Sequence, residues 1–349
     1  MTQISRIAET LTREHQLSGQ ELKLLIDERD EETALFLERE ARQLSREIYG
    51  NKIYIRGLIE FTNYCKNDCY YCGIRKGNHN ASRYRLGEEE ILSCCKAGYE
   101  LGFRTFVLQG GEDPYFTDER FVKLVSAIRE TFPDCAITLS AGERSRESYQ
   151  KLYEAGADRY LLRHETADSS HYQKLHPEGM ILQTRMACLQ NLRDIGFQTG
   201  CGFMVGSPGQ TTDHIVKDLR FMKEFKPHMI GIGPFLPHKD TPFKDMEGGT
   251  AEFTLYLLSI IRLLMPEVLL PATTALGTVK NGGREEGILH GANVVMPNLS
   301  PKDVREKYML YNNKLSSGSE AAESLELLKK SFADIGYEAV VHRGDSLVK

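Results

Sequence analysis

The chain has 349 residues, of which 41% are hydrophobic and 27% charged, and its net charge is -5. A negative net charge gives no general attraction to nucleic acid, whose binding relies on clustered lysine and arginine. Eight cysteines without a framework spacing, no signal-peptide core and no long apolar run argue against a secreted disulfide protein and a membrane-spanning one. We expect a cytoplasmic protein whose length suits one large α/β barrel better than two smaller domains.

Residues 1–50 have the pattern of amphipathic helices. Apolar side chains such as Leu37, Ala41 and Leu44 recur at intervals of three and four residues among charged ones, and Asp30 or Glu31 can begin the second helix. We expect a helical extension that packs on the main domain and carries no chemistry.

From residue 53 onward, short apolar runs alternate with amphipathic stretches, which is the pattern of βα units around a parallel sheet. The eight predicted strands span residues 53–61, 104–109, 136–140, 158–164, 199–205, 229–234, 269–274 and 293–297. The predicted helices between them span 88–101, 118–131, 146–155, 184–195, 211–225 and 253–264. Eight strands predict a closed (βα)8 barrel of the TIM type over residues 51–312, followed by a helical closing segment over 313–349. Its active site lies at the C-terminal strand ends.

Three cysteines follow the first predicted strand at the spacing Cys-x3-Cys-x2-Cys, and Tyr71 precedes the third. In a short loop, the thiolates of Cys65, Cys69 and Cys72 can converge on one soft metal centre. A four-iron cluster needs four ligands, and no fourth cysteine lies nearby, so one iron stays open to a small molecule. The alternative is a structural zinc site, which needs four nitrogen or sulfur ligands and has only His79 as its nearest candidate.

Four basic residues lie beside this loop, namely Arg75, Lys76, Arg83 and Arg85. Such a cluster can bind RNA, but it is more often part of a solvated loop. We therefore expect no nucleic-acid partner.

The ends of the other predicted strands are polar. Gly110 and Gly111 follow the second strand and allow main-chain groups to approach a ligand, although an ordinary βα turn explains them as well. In the fourth strand, the two-residue period places Arg159, Arg163 and Glu165 on one face. Charges at a barrel mouth must be paired or bind a ligand, so Arg163 can hold a carboxylate and Glu165 can accept hydrogen bonds; the alternative is a purely structural pair.

Further candidates are weaker. Thr273 and Thr274 bring two hydroxyls to the end of the seventh strand, although threonine also suits strands. Arg185, early in a predicted helix, is either a carboxylate clamp or a surface residue, and Met204 is either a ligand contact or core. We expect the five remaining cysteines to be buried inert thiols: Cys94, Cys95, Cys135, Cys188 and Cys201.

The motif Cys-x3-Cys-x-aromatic-Cys is the signature of the radical S-adenosylmethionine (SAM) enzymes, and longer strings make the chain resemble the [FeFe]-hydrogenase maturase HydE family. These strings are residues 56–63 (RGLIEFTN), 108–115 (LQGGEDPY), 159–166 (RYLLRHET), 231–238 (GIGPFLPH) and 271–278 (PATTALGT), within a match from about 50 to 312.

The resemblance implies a radical SAM (βα)8 barrel with one [4Fe-4S] cluster that generates a 5'-deoxyadenosyl radical from SAM. The enzyme would act in maturation of the hydrogenase active site (H-cluster) on a cysteine-bound iron carbonyl/cyanide precursor. Its partners would be HydG-type and HydF-type maturases and a reducing electron donor.

The resemblance also implies roles for individual residues. Cys65, Cys69 and Cys72 would hold the cluster. The residues around SAM would be Tyr71, Glu112, Thr138, Ser140, Glu165, Arg185, Met204 and Tyr308. The substrate would face Arg163, Thr273 and Thr274.

The chain departs from the family pattern at two places. Some members carry a second cluster on three cysteines after the barrel, but no cysteine follows Cys201 here, so we expect one cluster. The family's GGEP-like motif reads Gly-Gly-Glu-Asp-Pro at residues 110–114. The alternatives are a mutase of the methylornithine synthase type or one acting on another small amino-acid-derived substrate, a non-radical barrel enzyme with a phosphate loop at 277–284, and a zinc-stabilised scaffold.

Overall fold

The computed structural model describes residues 2–315 and 322–348. The chain begins with three helices, α1 (Gln3–Glu14), α2 (Gly19–Asp27) and α3 (Glu31–Tyr49). Each starts at a side chain that accepts a backbone N–H, and these N-caps are Thr2, Ser18 and Asp30. The buried faces of all three helices join the main core, as expected for a helical extension.

The strands appear in the predicted order. They are β1 (Lys52–Ile55), β2 (Gly57–Thr62), β3 (Thr105–Gly110), β4 (Ala136–Ser140), β5 (Arg159–Leu161), β6 (Gln198–Cys201), β7 (Met204–Val205), β8 (Met229–Ile230), β9 (Gly233–Pro234), β10 (Val294–Val295) and β11 (Glu338–Val340). One parallel sheet has the order β2-β3-β4-β5-β6-β8, and parallel bridges continue from β8 through Leu269 and Pro271 to Val294 in β10. β10 then pairs with β1, so the barrel closes and the predicted (βα)8 architecture is confirmed.

The eight strand positions around the barrel are here called staves. Several staves consist of two short strands where the sequence predicted one continuous strand. The first divides at Arg56 into β1 and β2, and the fifth and sixth divide into β6 with β7 and β8 with β9. Gly202 stands at the break after β6 with φ +150°, and a Cβ there would collide with the carbonyl oxygen of Gly231. In the seventh stave, the structure shows parallel bridges at Leu269 and Pro271 in place of a continuous strand over the described residues. The staves bend where backbones approach closely, which hydrophobic periodicity does not reveal.

The helices are α4 (Glu88–Glu100), α5 (Asp118–Thr131), α6 (Arg146–Glu154), α7 (Ser169–Leu175), α8 (Leu182–Ile195), α9 (Thr212–Phe225), α10 (Ala251–Leu264), α11 (Thr274–Val279), α12 (Gly283–Leu289), α13 (Lys302–Arg305) and α14 (Leu325–Asp334). The six helices predicted between the strands are present. The sequence did not predict α7, a seven-residue helix capped by Asp168, because it is too short to show a helical period.

The closing segment crosses both ends of the barrel. Residues 307–315, here called the strap, run over the mouth, and residues 316–321 of the predicted segment lie outside the described residues. After α14, β11 pairs in parallel with β1, which the sequence did not predict. Residues 343–345, here called the plug, then cover the bottom, where fully buried Arg159 donates to Asp345 at 2.6 Å. The domain division at residues 50 and 312 stays a prediction.

The scattered cysteines lie as predicted: all five are buried and free. Within the part of the chain that the structure describes, no helix is both long and apolar enough to cross a membrane.

Candidate active site

The three clustered cysteines lie on the loop of residues 63–87, between β2 and α4. Their thiols are free and partly buried, and all three line one cavity of about 300 Å³ at the mouth of the barrel, here called the mouth cavity. Backbone hydrogen bonds fix the loop on three sides: Lys66 N–H donates to Glu112, Tyr70 N–H to Leu175, and Gly73 N–H to Leu310 in the strap. The cysteines therefore face the space where strand-end side chains converge.

The electrostatics of the free thiols favour protonation. Burial is the main cause that raises the pKa of Cys65, raises that of Cys72 to about 12, and places that of Cys69 well above its ordinary value; the neighbouring thiols add to the effect at Cys69 and Cys72. The positive charge of Arg83 acts in the opposite direction on Cys65 and Cys72. A metal centre would have to displace these protons, as metal binding to thiols does.

The spacing of the donors distinguishes two kinds of metal site. Among the described residues, no three histidine, cysteine or acidic side chains are grouped closely enough to hold a single metal ion. Tetrahedral zinc with bonds of about 2.3 Å needs its sulfur atoms within about 4 Å of one another. In a four-iron cluster each thiolate binds a different iron, so the sulfur atoms stand further apart. His79 lies on the same loop but lines a separate depression and not the mouth cavity. Three cysteines at one cavity fit a cluster that leaves one iron open, whereas structural zinc needs a fourth nitrogen or sulfur donor.

Most of the other predicted residues line the same cavity. They are Tyr71, Glu112, Ser140, Arg163, Glu165, Arg185, Met204, Thr273 and Tyr308. Thr138 does not: it lies inside the barrel beside Arg56 and Leu161, and its buried hydroxyl has no hydrogen-bond partner. Both Thr138 and Ser140 point inward from β4, but two residues of a strand span about 6.6 Å, which places Thr138 a layer too deep.

Two glycines let backbone approach Glu112 and the cysteine loop closely. Gly110 and Gly111 were expected to use backbone conformations that are closed to other residues. Neither has a positive φ, so this expectation is wrong; the two glycines that permit the close approach are Gly111 and Gly142. A Cβ on Gly111 would instead collide with the carbonyl oxygen of Tyr64. Gly142 has φ +74°, and a Cβ there would overlap the side chain of Glu112. Glu112 Oε1 accepts the Glu143 N–H at 2.9 Å, while its buried Oε2 makes no hydrogen bond and lies 3.3 Å from Lys66 Nζ.

Arg163 and Glu165 form the pair that was the structural alternative, yet they remain incompletely satisfied. Arg163 Nη2 lies 3.0 Å from Glu165 Oε2, but neither atom makes a hydrogen bond of good geometry. Glu165 also has φ +65°, a left-handed conformation that is costly for a residue with a side chain. A strained, buried carboxylate and an incompletely bonded guanidinium at one wall are suited to receive a polar ligand.

Comparison with known proteins agrees with this geometry. The family model described as the radical SAM superfamily matches residues 59–222. The [FeFe] hydrogenase maturase subunit HydE of Thermotoga maritima is 45% identical over 84% of this chain and 82% of that protein. The chain belongs to the HydE family of radical SAM enzymes. This confirms the predicted family and enzyme class, and with them the family's cofactors, a [4Fe-4S] cluster and SAM.

Two further relatives share the architecture of this HydE family member. The 3-methylornithine synthase of Methanosarcina acetivorans is 32% identical over 84% of this chain and 82% of that protein. The crystal structure of methylornithine synthase (PylB) superposes with a TM-score of 0.81 and 25% identity, covering 96% of this chain and 97% of that one. The fold of this chain is thus shared with a methylornithine synthase.

In this HydE family member, Arg185 is no surface residue. It lies in the first turn of α8, buried, and donates from Nε to Glu143 at 2.5 Å and from Nη1 to the Arg163 carbonyl at 2.6 Å. Burial acts to lower its pKa, but Tyr172 and Glu143 outweigh burial, so the pKa lies well above its ordinary value. Arg185 is therefore a fixed cation beside the cysteine loop.

Of the two threonines predicted at the end of the seventh strand, one lines the mouth cavity and the other does not. Thr273 lines the cavity, and its buried Oγ1 has no hydrogen-bond partner. Thr274 begins α11 and does not line the cavity. The chain turns from stave to helix at Thr273, so the next side chain leaves the mouth.

Sequence reasoning missed a buried histidine that orients Tyr71. His176 Nδ1 lies 2.9 Å from the Tyr172 carbonyl, which only accepts, so Nδ1 carries the proton and Nε2 accepts the Tyr71 hydroxyl at 3.1 Å. Burial lowers the pKa of His176 to about 4, which keeps the ring neutral. Sequence reasoning also missed Leu310 and Tyr311 of the strap, which line the cavity, because no strand-end pattern marks them.

The orphaned atoms around the cavity test whether the family's cofactors fit. Polar atoms of Glu112, Arg163, Glu165 and Thr273 are buried without hydrogen-bond partners. Such atoms cost free energy unless a ligand or water satisfies them. Three thiols without a fourth, together with these atoms at one cavity, fit a cluster that binds a polar small molecule.

Proposed function

We propose that the protein cleaves SAM reductively and acts in [FeFe]-hydrogenase maturation on a small cysteine-derived iron complex. The observation that carries the proposal is that the three free thiols and the incompletely satisfied Arg163 line one cavity of about 300 Å³ at the barrel mouth. A site of this size and depth receives small molecules. The HydE relative at 45% identity supports the maturation role.

The chain's own residues divide into two groups around that cavity. Cys65, Cys69 and Cys72 would hold the cluster. When bound, the cluster and SAM would supply one-electron cleavage of the sulfonium and a 5'-deoxyadenosyl radical. Fixed charges beside the thiols, Glu112 and Arg185, would bind the charged groups of the methionyl end.

The remaining SAM contacts are proposed from position. Glu165 would accept hydrogen bonds from ribose hydroxyls, Ser140 would add a hydroxyl, and Tyr71, Met204 and Tyr308 would pack against the nucleoside. The closed strap would keep water from the reacting groups, since Tyr308 lies in it and is buried.

Arg163 and Thr273 would bind the substrate. A guanidinium can hold a carboxylate through two parallel hydrogen bonds, and the Thr273 hydroxyl, at the same cavity, has free hydrogen-bonding capacity. A carboxylate of a cysteine-derived ligand matches this pair.

A mutase of the methylornithine synthase type is the second candidate. It is supported by the relative at 32% identity and by the superposition with a TM-score of 0.81. Both reactions would use the same three thiols and the same proposed SAM contacts. The higher identity to HydE, 45%, favours maturation.

We further propose transient contacts with HydG-type and HydF-type maturases and a reducing electron donor, in the cytoplasm. All eight cysteines are free, which supports a reducing compartment.

Anaerobic reconstitution tests the proposal. We expect about four iron atoms per chain and, with dithionite and SAM, formation of 5'-deoxyadenosine and methionine. Incubation with a cysteine-bound iron carbonyl complex should then consume that complex, whereas formation of 3-methylornithine from free amino acids would favour the second candidate. Bound zinc, or no SAM cleavage by the iron-loaded protein, would contradict both.

A further inference from the structure

The cysteine loop is held by an arginine on the loop itself. Residues 63–87 contain no helix or strand, so their carbonyl groups need other donors. The guanidinium of Arg83 donates hydrogen bonds to four of these carbonyls. Its Nη1 donates to the carbonyls of Asn63 and Ile74 at 2.5 and 2.8 Å, and its Nη2 donates to those of Arg75 and Asn78 at 2.7 and 3.0 Å.

The positions of these carbonyls are informative. Asn63 precedes the first cysteine by two residues, whereas Ile74, Arg75 and Asn78 follow the third. One guanidinium therefore joins the two ends of the segment that carries all three thiols. Because that segment is otherwise irregular, its ends set where the thiols stand.

Two asparagines support the same arrangement. Asn63 is fully buried and donates from Nδ2 to the carbonyls of Ser82 and Lys307. Asn78 donates from Nδ2 to the Gly73 carbonyl at 2.7 Å. These bonds hold the carbonyls in place for Arg83, but each joins fewer points than the guanidinium does.

The charge of Arg83 differs from that of its neighbours. Arg75 pairs with Asp68 at 2.7 Å, and Arg85 pairs with Asp113 at 2.6 Å. Among the described residues, Arg83 makes no ion pair, and its four bonds go to neutral carbonyls. Arg83 is thus a cation without an ion pair, and its positive charge acts on Cys65 and Cys72.

We propose that Arg83 is a positioning residue that holds the cysteine segment in the geometry for cluster binding and, as an uncompensated cation, raises the reduction potential of the bound cluster. The potential of an iron–sulfur centre depends on net charge and nearby positive groups, because one-electron reduction adds negative charge. The inference rests on the proposed role of the three cysteines as ligands.

Three variants separate position from charge. Arg83→Lys keeps the charge but cannot donate from a planar fork to four carbonyls. Arg83→Met removes both. Lys76→Met is the matched control, since it removes a cation from the same loop, and no hydrogen bond or ion pair of the Lys76 ammonium is found within the described residues.

Two measurements follow anaerobic reconstitution. The first is the rate at which a chelator removes iron. The second is the reduction potential of the cluster, from a titration with dithionite as the one-electron donor and electron paramagnetic resonance as the readout. We expect Arg83→Lys to lose iron at least tenfold faster with an unchanged potential. We expect Arg83→Met to lose iron as fast and to be at least tenfold harder to reduce, a shift of about 59 mV. Lys76→Met should match the parent protein in both.

Each outcome decides one part. If Arg83→Lys retains iron like the parent, the positioning role is wrong, and this variant decides that point even when Arg83→Met does not fold. If Arg83→Met and the parent have the same potential, or Lys76→Met shifts it equally, the charge role is wrong. A parent protein that takes up no iron would instead refute the proposed function itself.

Discussion

Replacing Lys314 by methionine should release the strap from the barrel mouth. The Lys314 ammonium lies 2.7 Å from Glu60 Oε1, and the two side chains are only 6% and 0% exposed. Asn298 donates to the other carboxylate oxygen at 2.8 Å. Methionine keeps the length and apolar stem of lysine but leaves the Glu60 carboxylate buried with this one donor.

The expected cost follows from the burial of the pair. Removing one partner of a buried ion pair costs about 3–5 kcal/mol, because the other charge stays without compensation. The remaining Asn298 bond places Lys314→Met near the lower limit, about 3 kcal/mol. The strap has other attachments to the mouth: Gly73 donates to Leu310 at 2.8 Å, and Asn312 donates to Pro237 at 3.0 Å. The first response should therefore be local opening of residues 307–315.

Amide hydrogen exchange measures that opening directly. A loss of about 3 kcal/mol corresponds to roughly a hundredfold faster exchange in the strap, with smaller changes in β2 and β3. The double variant Glu60→Gln with Lys314→Met is the control, because it removes the stranded charge and should recover most of the protection. Unchanged exchange in Lys314→Met, or no recovery in the double variant, would refute the reasoning.

Three further predictions concern the cavity. Cys69→Ser should abolish SAM cleavage and lower the iron content after reconstitution, and continued cleavage would contradict the ligand assignment. Arg163→Lys should weaken substrate binding about ten- to hundredfold, from the loss of ~1.5–3 kcal/mol, while SAM binding is kept; equal weakening of both in parallel titrations would mean that Arg163 only pairs with Glu165. Since the pKa of His176 falls from 6.5 to about 4 on folding, its contribution to stability is present above pH 6.5 and is lost as the pH falls toward 4. Urea unfolding should show about 2 kcal/mol less dependence on pH between 7.5 and 5 in His176→Phe than in the parent, and the same dependence in both would contradict the buried neutral ring.

The barrel and the cysteine site could be predicted because both are encoded locally. Strands alternate with helices at regular spacing, and three cysteines within eight residues leave few chemical choices. Depth was harder to predict: alternation placed Thr138 and Ser140 on the same face correctly but could not say which of the two reaches the mouth. Thr274 failed for a related reason, since a helix begins where a strand was expected to continue.

Long-range contacts were the other limit. Tyr311 reaches the cavity from a segment with no regular period, and β11 joins the barrel although its three residues resemble many others. His176 holds Tyr71 from 105 residues away, through a bond that no spacing rule anticipates. Such contacts depend on how the finished barrel folds back on itself.

The plug and β11 bear on the order in which the barrel assembles. β1 is the first strand in the described part of the chain, yet its partners in β10 and β11 lie 240 or more positions later, beginning with Val294 opposite Tyr54. β2 can pair with β3 early in synthesis, whereas β1 remains an open edge until residues 294–340 have been made, and Arg159 has its partner only once Asp345 has been made. Pairings this distant in sequence form slowly, and unpaired strand edges promote aggregation. During synthesis, the segment around β1 therefore presents an unpaired strand edge until β10 and β11 have emerged.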